Sequence, residues 1–179
     1  MLALLLLGQL ATKPLNFEFA DVGGAKLVIP AAGAKATVLV FVGVDCPIAN
    51  RMAPEIARIA KDYGPRGVAS VLVYPDASLK PAQVAAHLKS FAMPVSAVID
   101  GSLKLVKATH ASVTPQAVIL DATGQMRYTG RINDLYEEHG KIKAKPKRND
   151  LRVALDELLS GKPISKPVTP VIGCFITGA

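Results

Sequence analysis

At 179 residues, half of them hydrophobic but only 5% aromatic and none Trp, the chain is long enough to bury one core without disulfide or metal staples. Charged residues make up 20%, which excludes disorder over most of the length. The formal net charge is +7, and five of the eight residues of 141–148 are basic. Pro146 breaks that run, and no aromatic or glycine residues interleave it, so a solvated loop is expected and nucleic acid is not a partner. What remains is a weak, transient attraction to an anionic membrane surface.

The first eleven residues are a Leu-rich run too short to span a bilayer. They read as the apolar core of a secretory signal, although without a basic leading segment, and predict a periplasmic or secreted protein. Residues 1–13 are therefore set apart as a signal segment. Residues 37–42 form a β-branched apolar run, as in a strand buried on both faces of a parallel sheet. From Pro47 to Tyr63, Ile48, Met52, Ile56 and Ile59 recur at helical spacing, with Gly64-Pro65 as a stop. A second buried strand is expected at 68–74, an amphipathic helix at 80–91, a short strand at 95–99 and a short helix at 103–108. Residues 117–120 and 125–128 flank Asp121-Ala122-Thr123-Gly124 and predict two antiparallel strands around a turn. Asn149-Asp150 is expected to cap a last helix, 151–159, which stops at Gly161. Alternating strands and helices with a closing hairpin and helix predict an α/β domain, a central mixed sheet flanked by helices, over 14–161. A Pro-punctuated tail, 162–179, carries the second of the two cysteines.

Chemistry concentrates at Asp45-Cys46-Pro47, directly after the buried strand. Cys46 falls at the N-cap and Pro47 at the first helical position, where its missing N–H costs nothing. Unpaired backbone N–H groups and the positive end of the helix dipole both favour a thiolate there, the nucleophilic form. Asp45 acts in the opposite direction, and Arg51 offsets it only if it points at the sulfur. Thr114-Pro115 stands immediately before the strand at 117–120, and a proline there fits an edge position or a cis peptide bond.

A strand ending in Cys-Pro at a helix start, with Thr-Pro before a later strand, resembles the thioredoxin-like superfamily. The branch it is most similar to is the redoxin group related to the alkyl hydroperoxide reductase/thiol-specific antioxidant proteins. Asp45-Cys46-Pro47-Ile48-Ala49-Asn50-Arg51, Gly130-Arg131-Ile132-Asn133-Asp134 with Tyr136, and Gly173-Cys174-Phe175-Ile176 resemble a bacterial redoxin subgroup. The resemblance implies a thioredoxin-like fold, Cys46 as the attacking cysteine and Pro115 as a cis-proline before an edge strand. Two departures matter. Ala49 stands where thioredoxins carry the second cysteine of Cys-x-x-Cys, and Gly43 stands where peroxiredoxins carry Thr or Ser.

In an exported chain two cysteines suggest a disulfide. A Cys46–Cys174 bond, closing a loop of over a hundred residues, would contribute about 4–5 kcal/mol in the chain-entropy model. It would be a permanent staple or the product of a catalytic cycle in which Cys174 resolves. The expected activity is thiol–disulfide exchange with a protein thiol or disulfide partner, or peroxide reduction, with no cofactor. Asp45, Pro47, Thr114, Arg131 and Tyr136 are candidates for binding substrate or partner, although Arg131 also suits an ordinary ion pair with a nearby Asp. The alternatives are a copper-binding or electron-transfer accessory using Cys46, Cys174 and His110, a donor set suited to soft copper, and a non-catalytic docking module.

Overall fold

The computed structural model describes residues 13–179, so all of the expected signal segment except Lys13 lies outside the described residues. Strand β1 (Phe17–Ala20) pairs with β2 (Lys26–Ile29) as an antiparallel hairpin. Strand β3 (Ala36–Phe41) is buried at every position, as its apolar run requires. Helix α1 (Pro47–Tyr63) buries Ala49, Met52, Ala53, Ile56, Ile59 and Tyr63, the stripe that helical periodicity marks out. A 3-10 turn follows it, and Gly67 adopts φ 89° before β4 (Val68–Tyr74), a conformation open to glycine at no cost. Then come α2 (Pro81–Ser90), β5 (Ser96–Ile99), α3 (Lys104–Thr109) and the two-residue β6 (Val113–Thr114). Strands β7 (Gln116–Asp121) and β8 (Met126–Gly130) form the expected hairpin. A small hairpin, β9 (Tyr136–Glu138) and β10 (Lys141–Ile142), and α4 (Asp150–Leu159) precede the tail, which ends in β11 (Cys174–Phe175).

The central sheet has the order β5-β4-β3-β7-β8. Strands β4 and β5 run parallel to β3, and β7 and β8 complete the other side antiparallel, so the sheet is mixed. Side chains of α1 and α4 pack on one face with Val38, Val40, Leu72 and Ile119. Leu39, Phe41, Val71 and Val118 point to the opposite face and meet Leu105 and Val106 of α3 and Ile29 of β2. The two apolar layers follow from the period-2 alternation of strands. This is a thioredoxin-like α/β arrangement.

Three expectations change. Strand β7 is internal, between β3 and β8, not an edge. Pro115 avoids a ladder position because it sits at the joint between β6 and β7, where its peptide bond with Thr114 is cis. Asn149 makes no side-chain cap on α4, and the Asp150 carboxylate beside it is held instead by Arg131 and Arg148, at 2.7 and 2.8 Å. The basic segment is partly paired rather than a free loop. Buried Asp134 accepts from Lys143 Nζ at 2.7 Å and from the Lys147 and Arg148 amides at 2.7 and 2.8 Å.

Burial raises the Asp134 pKa, but the Lys143 and backbone hydrogen bonds outweigh it and hold the carboxyl at about 2. A carboxyl depressed on folding stabilises above its unfolded pKa and loses that contribution as pH falls through the folded value. The loop should therefore keep its order above about pH 4 and lose it progressively as pH falls towards 2. Amide exchange at residues 143–148 checks this, and in Asp134→Asn the same amides should exchange faster already at pH 6.

The tail is stitched to the domain. Thr129 exchanges backbone bonds with the tail, its N–H donating to the Pro167 carbonyl at 2.9 Å and its carbonyl accepting from the Thr169 N–H at 3.1 Å. The buried Thr169 hydroxyl meets the Tyr128 hydroxyl at 2.8 Å and accepts from the Arg131 amide at 3.1 Å. Further on, Ile176 is buried in the second apolar layer, and its amide donates to Ser112 at 3.0 Å. Between these anchors β11 pairs antiparallel with β6, Cys174 opposite Thr114.

Candidate functional site

Strand β3 delivers the chain to the turn that ends at Cys46, the N-cap of α1, with φ −85° and ψ 107°. The Cys46 sulfur accepts from the Ala49 amide at 3.4 Å, the bond a capping hydroxyl would make. Pro47 occupies the first helical position. The sulfur also lies 3.1 Å from the Thr114 carbonyl, to which the protonated thiol donates. From the other side the tail brings in Cys174, and each sulfur acts on the other. Both cysteines are free thiols here; Cys46 is buried, only 4% exposed, and Cys174 is half-buried.

Burial is the largest influence on Cys46 and pushes its pKa up. Hydrogen bonds from the Cys174 thiol, Thr114 and the Ala49 amide together overcome it, so the net shift is downward. Neither Asp45 nor Arg51, the two charges weighed from sequence, is among the causes. Cys174 moves the opposite way, to about 11, through burial, its bond to Cys46 and the negative charge of Cys46 once ionised. The pair is thus polarised: of the two thiols, Cys46 is the one favoured to lose its proton first.

Gly173 makes the approach of the tail feasible. A Cβ there would run into the Thr114 carbonyl and the Pro115 nitrogen, so a larger residue could not lie against this joint. At Gly43 there is room, since a Cβ would rest 3.5 Å from Cys46 Cβ and 3.6 Å from the Thr114 hydroxyl. The hydroxyl beside the sulfur thus comes from Thr114 rather than from residue 43.

Behind the Cys46 turn lies a relay that sequence reading left aside. The Asn50 side-chain amide donates to the Val44 carbonyl at 2.9 Å, which leaves its oxygen to accept from His87 Nε2 at 2.8 Å. His87 Nδ1 then accepts from the Tyr74 hydroxyl at 2.8 Å. Burial lowers the His87 pKa against the opposing charge of Asp45, which favours the neutral ring, and the ring ties α2 and β4 to the Cys46 turn. His87 carries no ligand-like spacing; the signal for it was Asn50, one turn beyond Cys46, a polar side chain on a face that otherwise packs.

The remaining candidates separate. Thr114 and Asp45 line the cavity at the sulfurs, about 590 Å³ in volume. Arg131 and Tyr136 do not: Arg131 is paired with Asp150 at 2.7 Å, and Tyr136 packs on the core beside α4. His110 is the exposed C-cap of α3 and borders a different cavity, so it does not join the two cysteines. Among the described residues no three His, Cys, Asp or Glu side chains are arranged to hold a metal ion. No helix among the described residues is long and apolar enough to cross a membrane.

Comparison with curated proteins gave no match. Among solved structures, an uncharacterized conserved protein from Geobacillus kaustophilus superimposes with a TM-score of 0.83 at 26% identity, over 96% of this chain and 93% of that one. A hypothetical protein from Sinorhizobium meliloti gives the same score and identity over 96% and 95%. A secreted Mycobacterium tuberculosis disulfide oxidoreductase shares the fold, with a TM-score of 0.59 at 16% identity over 84% of this chain and 99% of that one. The family model for Redoxin matches residues 10–144, which hold Cys46 and Pro115 and stop short of Cys174. The chain is a member of the Redoxin family.

Proposed function

We propose that this protein is an extracytoplasmic thiol–disulfide oxidoreductase in which Cys46 attacks and Cys174 resolves. The observation that carries the reading is the meeting of two thiols at one cavity, Cys46 capping a helix N-terminus and Cys174 on the tail strand opposite Thr114, an arrangement that pushes their pKa values apart. The Cys46 thiolate displaces one sulfur of a partner disulfide, forming a mixed disulfide and releasing a thiolate that takes up a proton. Cys174 then loses its proton to solvent and attacks Cys46 Sγ, releasing the partner's second sulfur and leaving a Cys46–Cys174 disulfide. An external dithiol resets the pair. Pro115 lacks an N–H and so presents no competing donor at the joint beside the sulfur. Export is supported by the leader-like first residues and by the secreted oxidoreductase that shares the fold.

Reduction of a peroxide through a sulfenic acid on Cys46, resolved by Cys174, would use the same sulfurs. Thr114 is the hydroxyl at hand for it. The test is Cys174→Ser, which should stall at the mixed disulfide: with a disulfide-bonded partner, intact mass should show a Cys46 adduct lasting at least about ten times longer than in the wild type. An adduct that resolves as fast without Cys174 would overturn its role. Peroxide consumption by the same variants separates the two oxidants.

A further inference from the structure

Apolar side chains of Val42, Leu79, Leu103 and Phe175 wall the cavity beside the two cysteines. Its charged lining residues are Asp45 and Asp76, both exposed, and no Lys, Arg or His lines it. Asp76 is fixed there, because the Ser78 hydroxyl and amide donate to one carboxylate oxygen at 2.6 and 2.8 Å. This local balance inverts that of the whole chain, whose formal charge is +7. Three of the five basic residues of 141–148 are paired elsewhere, Lys143 to Asp134, Lys141 to Glu137 and Arg148 to Asp150, and none of the five lines the cavity. At contact distance nearby charges outweigh remote ones, which salt screens beyond about 8–10 Å.

We propose that this cavity selects disulfides carrying positive charge next to the sulfur–sulfur bond and discriminates against anionic ones. The inference rests on the disulfide-exchange reading above and gives that site a substrate class. The apolar walls take the carbon chain of the substrate, and Asp45 and Asp76 face its cationic group while Cys46 attacks the nearer sulfur. A Cys46–substrate bond forms, the substrate's own bond breaks, and its other half departs as a thiolate; the substrate disulfide is the oxidant.

The experiment measures oxidation of the reduced, full-length protein by three small disulfides: cystamine (cationic), 2-hydroxyethyl disulfide (neutral) and glutathione disulfide (anionic). Each rate is normalised to that disulfide's reaction with 2-mercaptoethanol. At low ionic strength cystamine should lead glutathione disulfide by roughly tenfold, the size expected of two carboxylates acting through water at contact range. In 0.5 M salt, and in Asp45→Asn/Asp76→Asn, the ratio should collapse towards one; Asp45→Asn alone should roughly halve its logarithm if the double variant folds poorly. Normalised rates that are equal, or that favour glutathione disulfide, would overturn the proposal. So would a preference for cystamine that survives in the double variant. If no disulfide oxidises Cys46, the exchange reading itself fails, a distinct result. Cysteine peptides flanked by lysine or by glutamate, as disulfides, extend the test: the same ratio assigns the cavity to a protein segment, and a preference confined to cystamine assigns it to a small molecule.

Discussion

Cys46→Ser should lose disulfide reduction to background, a fall of roughly three orders of magnitude or more, with folding almost unaffected. The two outcomes separate because the side chain has two roles. As an N-cap, serine is at least as good as cysteine, and its hydroxyl can accept from the Ala49 amide that now meets sulfur at 3.4 Å. Stability should therefore stay within about 1 kcal/mol of wild type, read as the denaturant midpoint. As a nucleophile, serine has no counterpart to the thiolate, which two neighbouring residues and a backbone amide stabilise. Cys174 supplies an internal control. Its pKa stands at about 11 partly because it donates to Cys46 and faces its negative charge. In the variant the negative charge is gone while burial and the opposing Ile48 backbone bond remain, so Cys174 should titrate lower and alkylate faster at pH 9 than in wild type. If Cys174 is unchanged, the two sulfurs do not polarise each other.

Gly173→Val should uncouple the sulfurs while leaving the central sheet intact. A Cβ at this position has nowhere to go except into the Thr114 carbonyl, and the neighbouring atoms are backbone that cannot swing aside. The cost falls on β11, whose pairing with β6 consists of Cys174 opposite Thr114 and Phe175 opposite Val113. With that strand displaced, Cys46 loses the cover that leaves it 4% exposed, and alkylation by iodoacetamide should rise about tenfold or more. Closure of the Cys46–Cys174 bond by an oxidant should slow by about a hundredfold, because a positioned thiol becomes a tethered one. Gly173→Ala should fall between the two. A valine variant that closes the bond at the wild-type rate would mean that this strand pairing is not what aligns the cysteines.

Much of the fold could be read from residues alone, and the exceptions share a cause. Helix α1 runs from Pro47 to Tyr63, the limits its sequence marks, because a cap, a first-turn proline and an apolar stripe coincide. Strand β4 is likewise where its apolar run lies. The hairpin of β1 and β2 escaped because its strands are only four residues long, β1 alternating half-buried and exposed residues and β2 offering no more than the short apolar run Leu27-Val28-Ile29. Two-residue strands such as β6 and β11 are shorter than any period, and they exist only because tertiary contacts bring them together. Asn149 illustrates the same limit at a helix start: it holds the N-cap position without a side-chain bond, while Asp150 is held by Arg131 from across the fold and by the nearby Arg148.

At the site, local pattern and resemblance coincide on Cys46 at a helix N-cap, and the resemblance pointed to the cis peptide before Pro115. The sign of the Cys46 shift was not legible there, since the charges weighed from sequence, Asp45 and Arg51, are not those that act. Of the hydrogen bonds that do act, the two largest come from residues 128 and 68 positions away, and the Ala49 amide is the local one. His87 was hidden for a similar reason, because its partners Tyr74 and Asn50 lie on different elements.

The two sulfurs are mounted very differently. Cys46 follows β3, which is hydrogen-bonded along both sides over six residue pairs each, whereas Cys174 rides on a strand held by two. Pulled from its C-terminal end in an optical trap, the chain should release Ile176 and peel β11 away at low force, long before the sheet shears. The molecule is built as an anvil and a hinged hammer, and an oxidised pair would clamp the hinge shut, turning that early, soft rupture into a load borne by the sheet itself.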